Sequence, residues 1–461
     1  MSKKSQDDDE RPKAPDGGWG WFACLGSSFI TLSLRSLEPS FGLIFHDLLI
    51  DLKIDSTRMS TFPSVFDACS NFSGIFVGPL LNKFSYRKVA VFGSLLCCTG
   101  LTLTAFAKSA THIILTYSIL NGIGNGLALA SAFIALNTYF DKKRGQAVSY
   151  SSAGTAIAMM IVPQASHFLL GRYGFQGTMM IIGAWTMHSI VGACLLRPLK
   201  PPKKIIKTEM KSQVSDETEL PLMEKTLNES PSKLDSKPEN ECLTFLKSFT
   251  DIFNLDLLKN FSYLNVIFGL SLFAVSEVNF KLVTPFFLRN TIGMTEGEVA
   301  FCLSLTAFTD IFSRLMLPVI YDKFGFKKRR LFWVNALCLA IGRSVFAEQT
   351  KGMWLFVILV INGFIRGAVI QNLNLSVSET CSLKSLPHAY GFFMVFKGIS
   401  SLLLSPIVGY IRDYSGSYRI CLHAMNFLVV ICFISWSLEF GWSAVKSRRK
   451  DSNENQPVLV S

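Results

Sequence analysis

Charged side chains occur within stretches of the sequence that are otherwise apolar, and two of them have a spacing that suits acid chemistry. Asp310 and Arg314 are four residues apart, so on a helix they lie on the same face. A guanidinium group holds a carboxylate through two parallel hydrogen bonds, and a neighbouring carboxyl group can bind a proton or pair with the arginine. The pair therefore has the chemistry to bind a carboxylate or a proton, and a permanent structural ion pair is the alternative.

Other charged residues share this apolar setting. They are the basic residues Arg35, Lys281, Arg343, Arg366 and Lys397 and the acidic residues Glu38, Asp67 and Glu277. A charge at the centre of a bilayer costs about 2.5–3.5 kcal/mol on insertion scales, so these groups must pair, face water or reach the interface. We expect Arg35 and Arg366 to contribute to substrate binding and Glu38 to contribute to proton coupling.

The remaining charges in apolar stretches predict structural roles. Glu277 and Lys281 are four residues apart and are expected to form an ion pair. Arg343 and Lys397 are expected to extend along their helices so that their charged groups reach the membrane–water interface. The six histidines and 11 cysteines are dispersed and no nucleophilic motif stands out, so the sequence predicts neither an enzyme nor a metal or cofactor site.

The elements that carry these residues are predicted to be membrane helices. Of the 461 residues, 49% are hydrophobic and only 17% are charged, whereas a soluble protein has about 25% charged residues. Crossing a bilayer takes about 20 mainly apolar residues. Twelve stretches are long enough: 21–45, 61–82, 88–107, 112–138, 145–170, 176–196, 261–288, 297–320, 331–348, 352–376, 388–411 and 419–441. The composition therefore favours an all-α integral membrane protein and argues against a soluble enzyme.

One polar segment, 197–258, separates the twelve spans into two sets of six. It is rich in Pro, Ser, Glu and Lys, which predicts a disordered linker between an N-terminal half at 21–196 and a C-terminal half at 259–443. Lys and Arg are concentrated in the loops on the side of this linker, so the linker and the tails at 1–20 and 444–461 are predicted to be cytoplasmic. The net charge of +12 thus reflects membrane orientation, and no nucleic-acid partner is expected.

Two basic loops occupy equivalent places in the two halves. One follows the second span at 78–88, and the other follows the eighth span at 321–328. Both resemble the short basic loop of the major facilitator superfamily, although the first has Asn82 where an acidic residue is expected. Two parallel six-helix halves are the organisation of such transporters. The repeat therefore favours two related halves over two unrelated sets of helices.

Two further motifs resemble the monocarboxylate transporter family of that superfamily. One is Pro15–Trp21, with the sequence PDGGWGW, and the other is Tyr139–Ala147, with the sequence YFDKKRGQA. Trp side chains suit the membrane–water interface, glycines permit a tight turn, and basic side chains anchor the cytoplasmic end of a helix. We expect structural roles for the motif residues Asp16, Gly17, Gly18, Trp19, Trp21 and Arg144.

The resemblance implies twelve transmembrane helices in two six-helix halves and a transporter in the plasma membrane. It would move small organic solutes, foremost monocarboxylates, by alternating access. In the family, the arginine that corresponds to Arg314 holds the substrate carboxylate, and the aspartate that corresponds to Asp310 takes part in proton movement. The implied partners are a small carboxylate substrate, protons, the lipid bilayer and, for some members, a single-span glycoprotein that assists surface delivery.

The first span departs from the pattern of the proton-coupled members. They have a lysine eighteen residues after the last Trp of the first motif, and here that position is Pro39. Branches of the family without this lysine move aromatic amino acids or larger organic molecules without proton coupling. Three functions therefore stay open: proton-coupled monocarboxylate transport, uncoupled transport of amino acids or larger acids, and a non-transporting receptor with the same fold.

Overall fold

The computed structural model of the chain describes residues 15–35, 61–199 and 255–454 together with positions 37, 41, 44, 45, 48 and 52. Within these residues the regular secondary structure is entirely helical, which confirms the predicted all-α fold. Most of the predicted linker at 197–258 lies outside the described residues, as do Glu38 and Pro39.

The described helices of the N-terminal half overlap the predicted spans, although the first span, 21–45, is described as a continuous helix only to Leu34. They are α1 (Trp19–Leu34), α2 (Thr61–Phe72), α3 (Gly74–Lys83), α4 (Tyr86–Thr104), α5 (Ala110–Ile113), the π-helix Ile114–Leu120, α6 (Asn121–Tyr139), α7 (Arg144–Thr186) and α8 (His188–Leu195). Helix α7 joins the predicted fifth span to the sixth, and Gly174, with φ 62° and ψ −171°, interrupts its helical geometry. Because a positive φ is costly for residues with a Cβ, this glycine is where the chain turns between the two spans.

The C-terminal half has the same helical character. It contains the 3₁₀-helix Leu255–Lys259, α9 (Phe261–Phe286), the π-helix Phe287–Thr291, α10 (Glu296–Lys323), α11 (Lys328–Ala347), α12 (Met353–Thr380), α13 (Leu386–Ser415) and α14 (Tyr418–Glu454). Asn260 caps the start of α9, and Thr295 and Glu298 form a capping box at the start of α10. Helix α14 continues into the segment 444–461, which the sequence predicts to be a polar tail.

Many of these helices can cross a membrane. Eight helical segments in the described residues are long and apolar enough: Ala110–Tyr139, Gln164–Leu195, Phe261–Thr291, Gly297–Lys323, Lys328–Ala347, Met353–Thr380, Leu386–Arg412 and Tyr418–Ser443. Helix α1 is apolar and shorter. Large apolar side chains such as Phe168, Phe308, Leu403 and Phe427 point outwards. An extended apolar surface of this kind suits lipid, not water.

Glycines allow several of the helices to approach closely. A Cβ on Gly26 of α1 would lie 2.5 Å from the backbone oxygen of Gly192 in α8. A Cβ on Gly93 of α4 would lie 2.7 Å from the backbone oxygen of Gly124 in α6. Small residues at such contacts are typical of helices packed in a membrane, where they let the backbones touch.

The two halves contact each other at helix ends that are predicted to be cytoplasmic. At the first junction, Nδ2 of Asn82 in α3 lies 2.9 Å from Nε2 of His388 at the start of α13. At the second junction, Asp322 near the end of α10 accepts a hydrogen bond from the backbone N–H of Gln146 in α7 at 2.9 Å, and it pairs with Lys328. Both basic loops of the sequence repeat therefore lie beside a contact with the opposite half.

Candidate functional site

Asp310 lies at the centre of a buried group of charges. Its Oδ1 accepts a hydrogen bond from Nε of Arg314 at 3.1 Å, and its Oδ2 lies 3.0 Å from Nη2 of the same side chain. In addition, Nη1 of Arg366 in α12 donates a hydrogen bond to Oδ2 at 2.9 Å. One carboxylate therefore holds two arginines. The four-residue spacing on α10 brings Asp310 and Arg314 together, as the sequence predicts.

Glycines of α12 bring Arg366 close to this carboxylate. A Cβ on Gly367 would lie 2.6 Å from the backbone oxygen of Asp310, and a Cβ on Gly363 would lie 2.1 Å from Oγ1 of Thr309. Because only glycine fits at these distances, α12 and α10 touch along this edge. The close approach puts the guanidinium of Arg366 within hydrogen-bonding distance of Asp310.

A second carboxylate, Glu277 of α9, belongs to the same group. Its Oε1 accepts a hydrogen bond from Nε of Arg366 at 2.6 Å and lies 3.7 Å from Nζ of Lys281. Its Oε2 accepts a hydrogen bond from Arg343 of α11. Arg343 is 1% exposed, and its guanidinium lies 4.1 Å from the centre of the Phe280 ring. The expectation that Arg343 reaches the interface is therefore wrong, because Glu277 and the aromatic ring hold its charge inside the protein.

The group contains more basic than acidic side chains. Its members are two carboxylates and four basic groups: Glu277, Asp310, Lys281, Arg314, Arg343 and Arg366. An excess of one charge in a poorly hydrated site attracts an ion of the opposite charge. Within the described part of the chain, Nε and Nη1 of Arg343 are buried and have no hydrogen-bond partner. We call these six residues the charged group, and its composition suits an anion.

Arg314 also connects the charged group to the N-terminal half. Its Nη1 donates a hydrogen bond to the backbone oxygen of Ser152 in α7 at 3.2 Å. One turn away on α7, the hydroxyl of Ser149 donates a hydrogen bond to Oε1 of Gln371 in α12 at 3.1 Å. A ligand that takes hold of Arg314 therefore disturbs a contact between the halves. No side-chain pattern in the sequence signals this contact, since its acceptor belongs to the main chain.

The other predicted site residues are placed differently. Arg35 follows the last turn of α1 and is half-buried. Glu38 lies outside the described residues. Lys397 lies near the middle of α13 and is half-buried, and no carboxylate of a described residue lies within ion-pair distance of it.

The two family-like motifs pack against each other at the starts of α1 and α7. Oδ1 of Asp16 accepts hydrogen bonds from the backbone N–H groups of Asp141 at 2.8 Å and Lys143 at 3.3 Å. Nε1 of Trp19 donates a hydrogen bond to the backbone oxygen of Leu195 at 3.1 Å. A side chain at the first motif thus caps the turn that contains the second motif.

Further contacts connect the starts of α1 and α7. The ring of Trp21 lies 5.1 Å from that of Phe140, and Gly18 has a φ of 55°, which favours glycine. Arg144 donates from Nε to the backbone oxygen of Phe140 at 3.1 Å and pairs with Asp141 at 3.1 Å. These contacts fit the structural roles that we expect for the motif residues, and those roles stay a prediction.

Most of the chain matches a known family of proteins. Residues 21–406 match the family model described as Major Facilitator Superfamily. Because this match covers most of the sequence, the chain belongs to the Major Facilitator Superfamily, and it is a membrane transporter and not an enzyme.

The chain is also similar to individual transporters over most of its length. Monocarboxylate transporter 2 of Rattus norvegicus is 27% identical over 424 residues, which cover 91% of this chain and 82% of the relative. Monocarboxylate transporter 12 of Xenopus laevis is 25% identical over 426 residues, which cover 91% of this chain and 88% of the relative. The chain is therefore similar to monocarboxylate transporters along most of its length, which is consistent with the resemblance seen in its motifs.

Solved structures support the fold. The human organic anion transporter MFSD10 (TETRAN) aligns with a TM-score of 0.62 at 12% identity, over 92% of this chain and 100% of that one. The proton:xylose symporter XylE aligns with a TM-score of 0.65 at 12% identity, over 90% of this chain and 94% of that one. At this level of identity the likeness shows the major facilitator superfamily fold alone, and it confirms the predicted fold class.

Proposed function

We propose that the chain carries small organic carboxylates across the membrane by alternating access, with Asp310, Arg314 and Arg366 as the centre of the binding site. The observation that carries this proposal is the Asp310 carboxylate, which holds both arginines while Arg314 also contacts the opposite half. Similarity to proteins named monocarboxylate transporters supports the same substrate class.

In this proposal the substrate carboxylate competes with Asp310 for the arginines. A carboxylate of the substrate has the same charge and shape as the Asp310 side chain and can bind a guanidinium in the same bidentate way. When the substrate takes Arg314, Asp310 loses part of its positive surroundings in a buried site. This loss favours protonation of Asp310. The acid and a proton then bind together, which is the requirement for proton-coupled transport.

The same exchange links binding to movement. Arg314 donates a hydrogen bond to the backbone oxygen of Ser152 in the opposite half. A guanidinium that turns towards a substrate gives up this bond, so one contact that holds the halves together is lost. The two halves can then change their arrangement around the bound acid, which is how alternating access works in transporters with two repeats.

The remaining predicted residues have supporting roles in this proposal. Arg35 contributes to substrate binding from α1, and Glu38 contributes to proton coupling. The transporter resides in the plasma membrane with both termini in the cytoplasm, and a single-span glycoprotein assists its delivery. Basic loops on the predicted cytoplasmic side support this orientation.

A second candidate is uncoupled transport of aromatic amino acids or larger organic acids. The observation that favours it is Pro39, which stands where proton-coupled relatives have a lysine. The two candidates share the arginine site and differ in the response to protons. An inward proton gradient accelerates uptake in the first case and leaves it unchanged in the second.

Uptake into cells tests both candidates. Cells that express the chain receive radiolabelled lactate, pyruvate, 3-hydroxybutyrate, tryptophan or 3-phenylpropanoate, each at external pH 7.5 and 6.0. Wild type is compared with Arg314→Ala, and uptake is normalised to the amount of protein at the surface. The control is Arg419→Ala, which removes an arginine whose nearest carboxylate oxygen, on Glu348, is 3.9 Å away at the protein surface.

We expect at least one acid to enter and Arg314→Ala to lower its uptake by about 100-fold. Truncating one partner of a buried charged pair costs about 2–5 kcal/mol, which corresponds to a loss of this size. Arg419→Ala should retain uptake within about twofold, because exposed ion pairs contribute little. Wild-type protein at the surface that moves none of the five solutes, or an Arg314→Ala variant with full uptake, contradicts the proposed site.

A further inference from the structure

Lys397 differs from the basic residues of the charged group. Lys281, Arg314, Arg343 and Arg366 each lie near a carboxylate, whereas no described carboxylate lies within ion-pair distance of Lys397. An ammonium group has three donors and no acceptor, and it is strongly hydrated. Its place near the middle of α13 therefore requires either water or an anion beside it.

The neighbours of Lys397 show which side of α13 it is on. Tyr390 stacks on Phe133 of α6 at 4.5 Å, and Met394 lies against Gly74 of α3. Tyr390, Met394 and Lys397 follow the spacing i, i+4 and i+7, so they lie along one face of the helix. This face of α13 is directed towards the N-terminal half, not towards lipid.

The next residue on α13 supports this placement. A Cβ on Gly398 would lie 3.0 Å from Cβ of Asn71 in α2, so α13 and the N-terminal half remain close at this level. By contrast, Leu403 lies a turn and a half further on and is 65% exposed, as expected for a lipid-facing position. Lys397 therefore lies on the side of α13 that faces the N-terminal half.

We propose that Lys397 binds the carboxylate of the transported acid. The inference rests on the proposed carboxylate transport and adds the residue that first captures the substrate. Asp310 and Glu277 already occupy Arg314 and Arg366, whereas the ammonium of Lys397 has no described carboxylate to displace.

The surroundings of Lys397 also define a class of substrate. The ring of Tyr390, which stacks on Phe133, lies on the same face of α13 as Lys397 and seven residues before it. An acid that places its carboxylate on Lys397 can lay an apolar or aromatic body against these rings. The site therefore fits a monocarboxylate with an apolar tail, and 3-phenylpropanoate is a better probe of it than lactate.

The first test measures uptake kinetics with 3-phenylpropanoate and pyruvate as probes. Lys397→Met removes the charge and keeps most of the length, and Lys397→Arg keeps the charge. We expect Lys397→Met to raise KM by about tenfold or more with a smaller change in maximal rate, because it weakens capture. Lys397→Arg should stay within about threefold of wild type, as expected for a charge that needs no single geometry.

The second test measures the accessibility of residue 397 to a charged reagent and does not depend on uptake. Lys397→Cys, Leu403→Cys and Lys351→Cys are treated in intact cells with a negatively charged methanethiosulfonate reagent, beside the wild-type chain as the background. Lys351 is exposed in the loop between α11 and α12 and serves as the positive control. We expect labelling at 397 and 351 and none at 403, and 3-phenylpropanoate should slow labelling at 397 alone.

The two tests distinguish a failure of the proposed role of Lys397 from a failure of the proposed function. If wild type moves none of the acids, the proposed function fails. If wild type moves 3-phenylpropanoate or pyruvate and Lys397→Met has an unchanged KM for the transported probe, the role of Lys397 fails while carboxylate transport stands. An unlabelled cysteine at 397 in a protein that labels at 351, or labelling at 397 that 3-phenylpropanoate does not slow, also overturns the inference.

Discussion

The two halves of the protein are built from similar helices and stabilised by different interactions. In the N-terminal half, the hydroxyl oxygens of Ser27 and Ser151 lie 2.6 Å apart, and Thr31 donates a hydrogen bond to the backbone oxygen of Ser151 at 2.7 Å. In the C-terminal half, the charged group lies between α9, α10, α11 and α12, and Arg329 pairs with Glu439 at 2.5 Å near the start of α11.

The kind of interaction decides which half can respond to a proton or a charged ligand. Neutral hydrogen bonds and glycine contacts do not change with the protonation of a carboxylate or the arrival of an anion. Ion pairs change with both, because each partner can be protonated or taken by a competing charge. We infer that the N-terminal half gives a fixed surface, while the charged group of the C-terminal half responds to the substrate.

The largest effect on stability is expected from Glu277→Gln. The substitution leaves Arg343 buried without its counter-charge, and removing one partner of a buried ion pair costs about 3–5 kcal/mol. Purified protein in mixed micelles should therefore unfold at a clearly lower fraction of SDS than wild type. The double variant Glu277→Leu/Arg343→Leu should recover part of the loss, since it leaves no uncompensated charge between these two positions.

A matched control for this substitution is Lys281→Gln. Lys281 lies 3.7 Å from the same carboxylate but its side chain is 40% exposed, so its removal should change the free energy of unfolding by less than about 1 kcal/mol. Equal losses for Glu277→Gln and Lys281→Gln would show that burial of the pair does not control its contribution, and the contrast between the halves would lose its basis.

A smaller loss is expected from Gly26→Ala in the N-terminal half. The added Cβ would lie 2.5 Å from the backbone oxygen of Gly192, so α1 and α8 must move apart, and overpacking of this kind costs about 1–3 kcal/mol. Gly171→Ala is the control, because no atom lies within 4 Å of its Cβ position. SDS titration of both variants checks the expectation, which fails if Gly26→Ala is as stable as Gly171→Ala.

The smallest effect is expected from Ser27→Ala. Loss of one neutral hydrogen bond to Ser151 lowers the free energy of unfolding by about 0.5–1.5 kcal/mol. Ser27→Ala/Ser151→Ala should lose little more than either single variant, because both substitutions remove the same bond. SDS titration of the three variants measures this coupling. A loss as large as that of Glu277→Gln would mean that neutral bonds stabilise the N-terminal half as strongly as charges stabilise the other.

The sequence predicts the helices and part of the site well. Long apolar stretches have few alternatives to membrane helices, and Asp310 and Arg314 pair because residues four apart on a helix are neighbours. Glycine at 367 is visible in the sequence, but nothing local shows that it faces α10. The pairing of Arg366 with Asp310 therefore depends on how α12 packs, which spacing along one helix does not report.

The partner of Arg343 illustrates the same limit. Arg343 is four residues from the end of α11, where a long side chain can reach the interface, and that local argument predicts an exposed charge. Glu277 lies 66 residues away on α9, and only the packing of the two helices brings it opposite Arg343. Local spacing thus identifies pairs within a helix, while pairs between helices depend on the fold.

The hydrogen bond from Arg314 to Ser152 has a consequence for evolution. Its acceptor is a main-chain oxygen, and every amino acid offers one at that position. Substitutions at 152 can therefore accumulate among descendants of this gene without loss of the bond, and positions 152 and 314 need not change together. A contact that connects the two halves is thus invisible to methods that infer proximity from correlated substitutions.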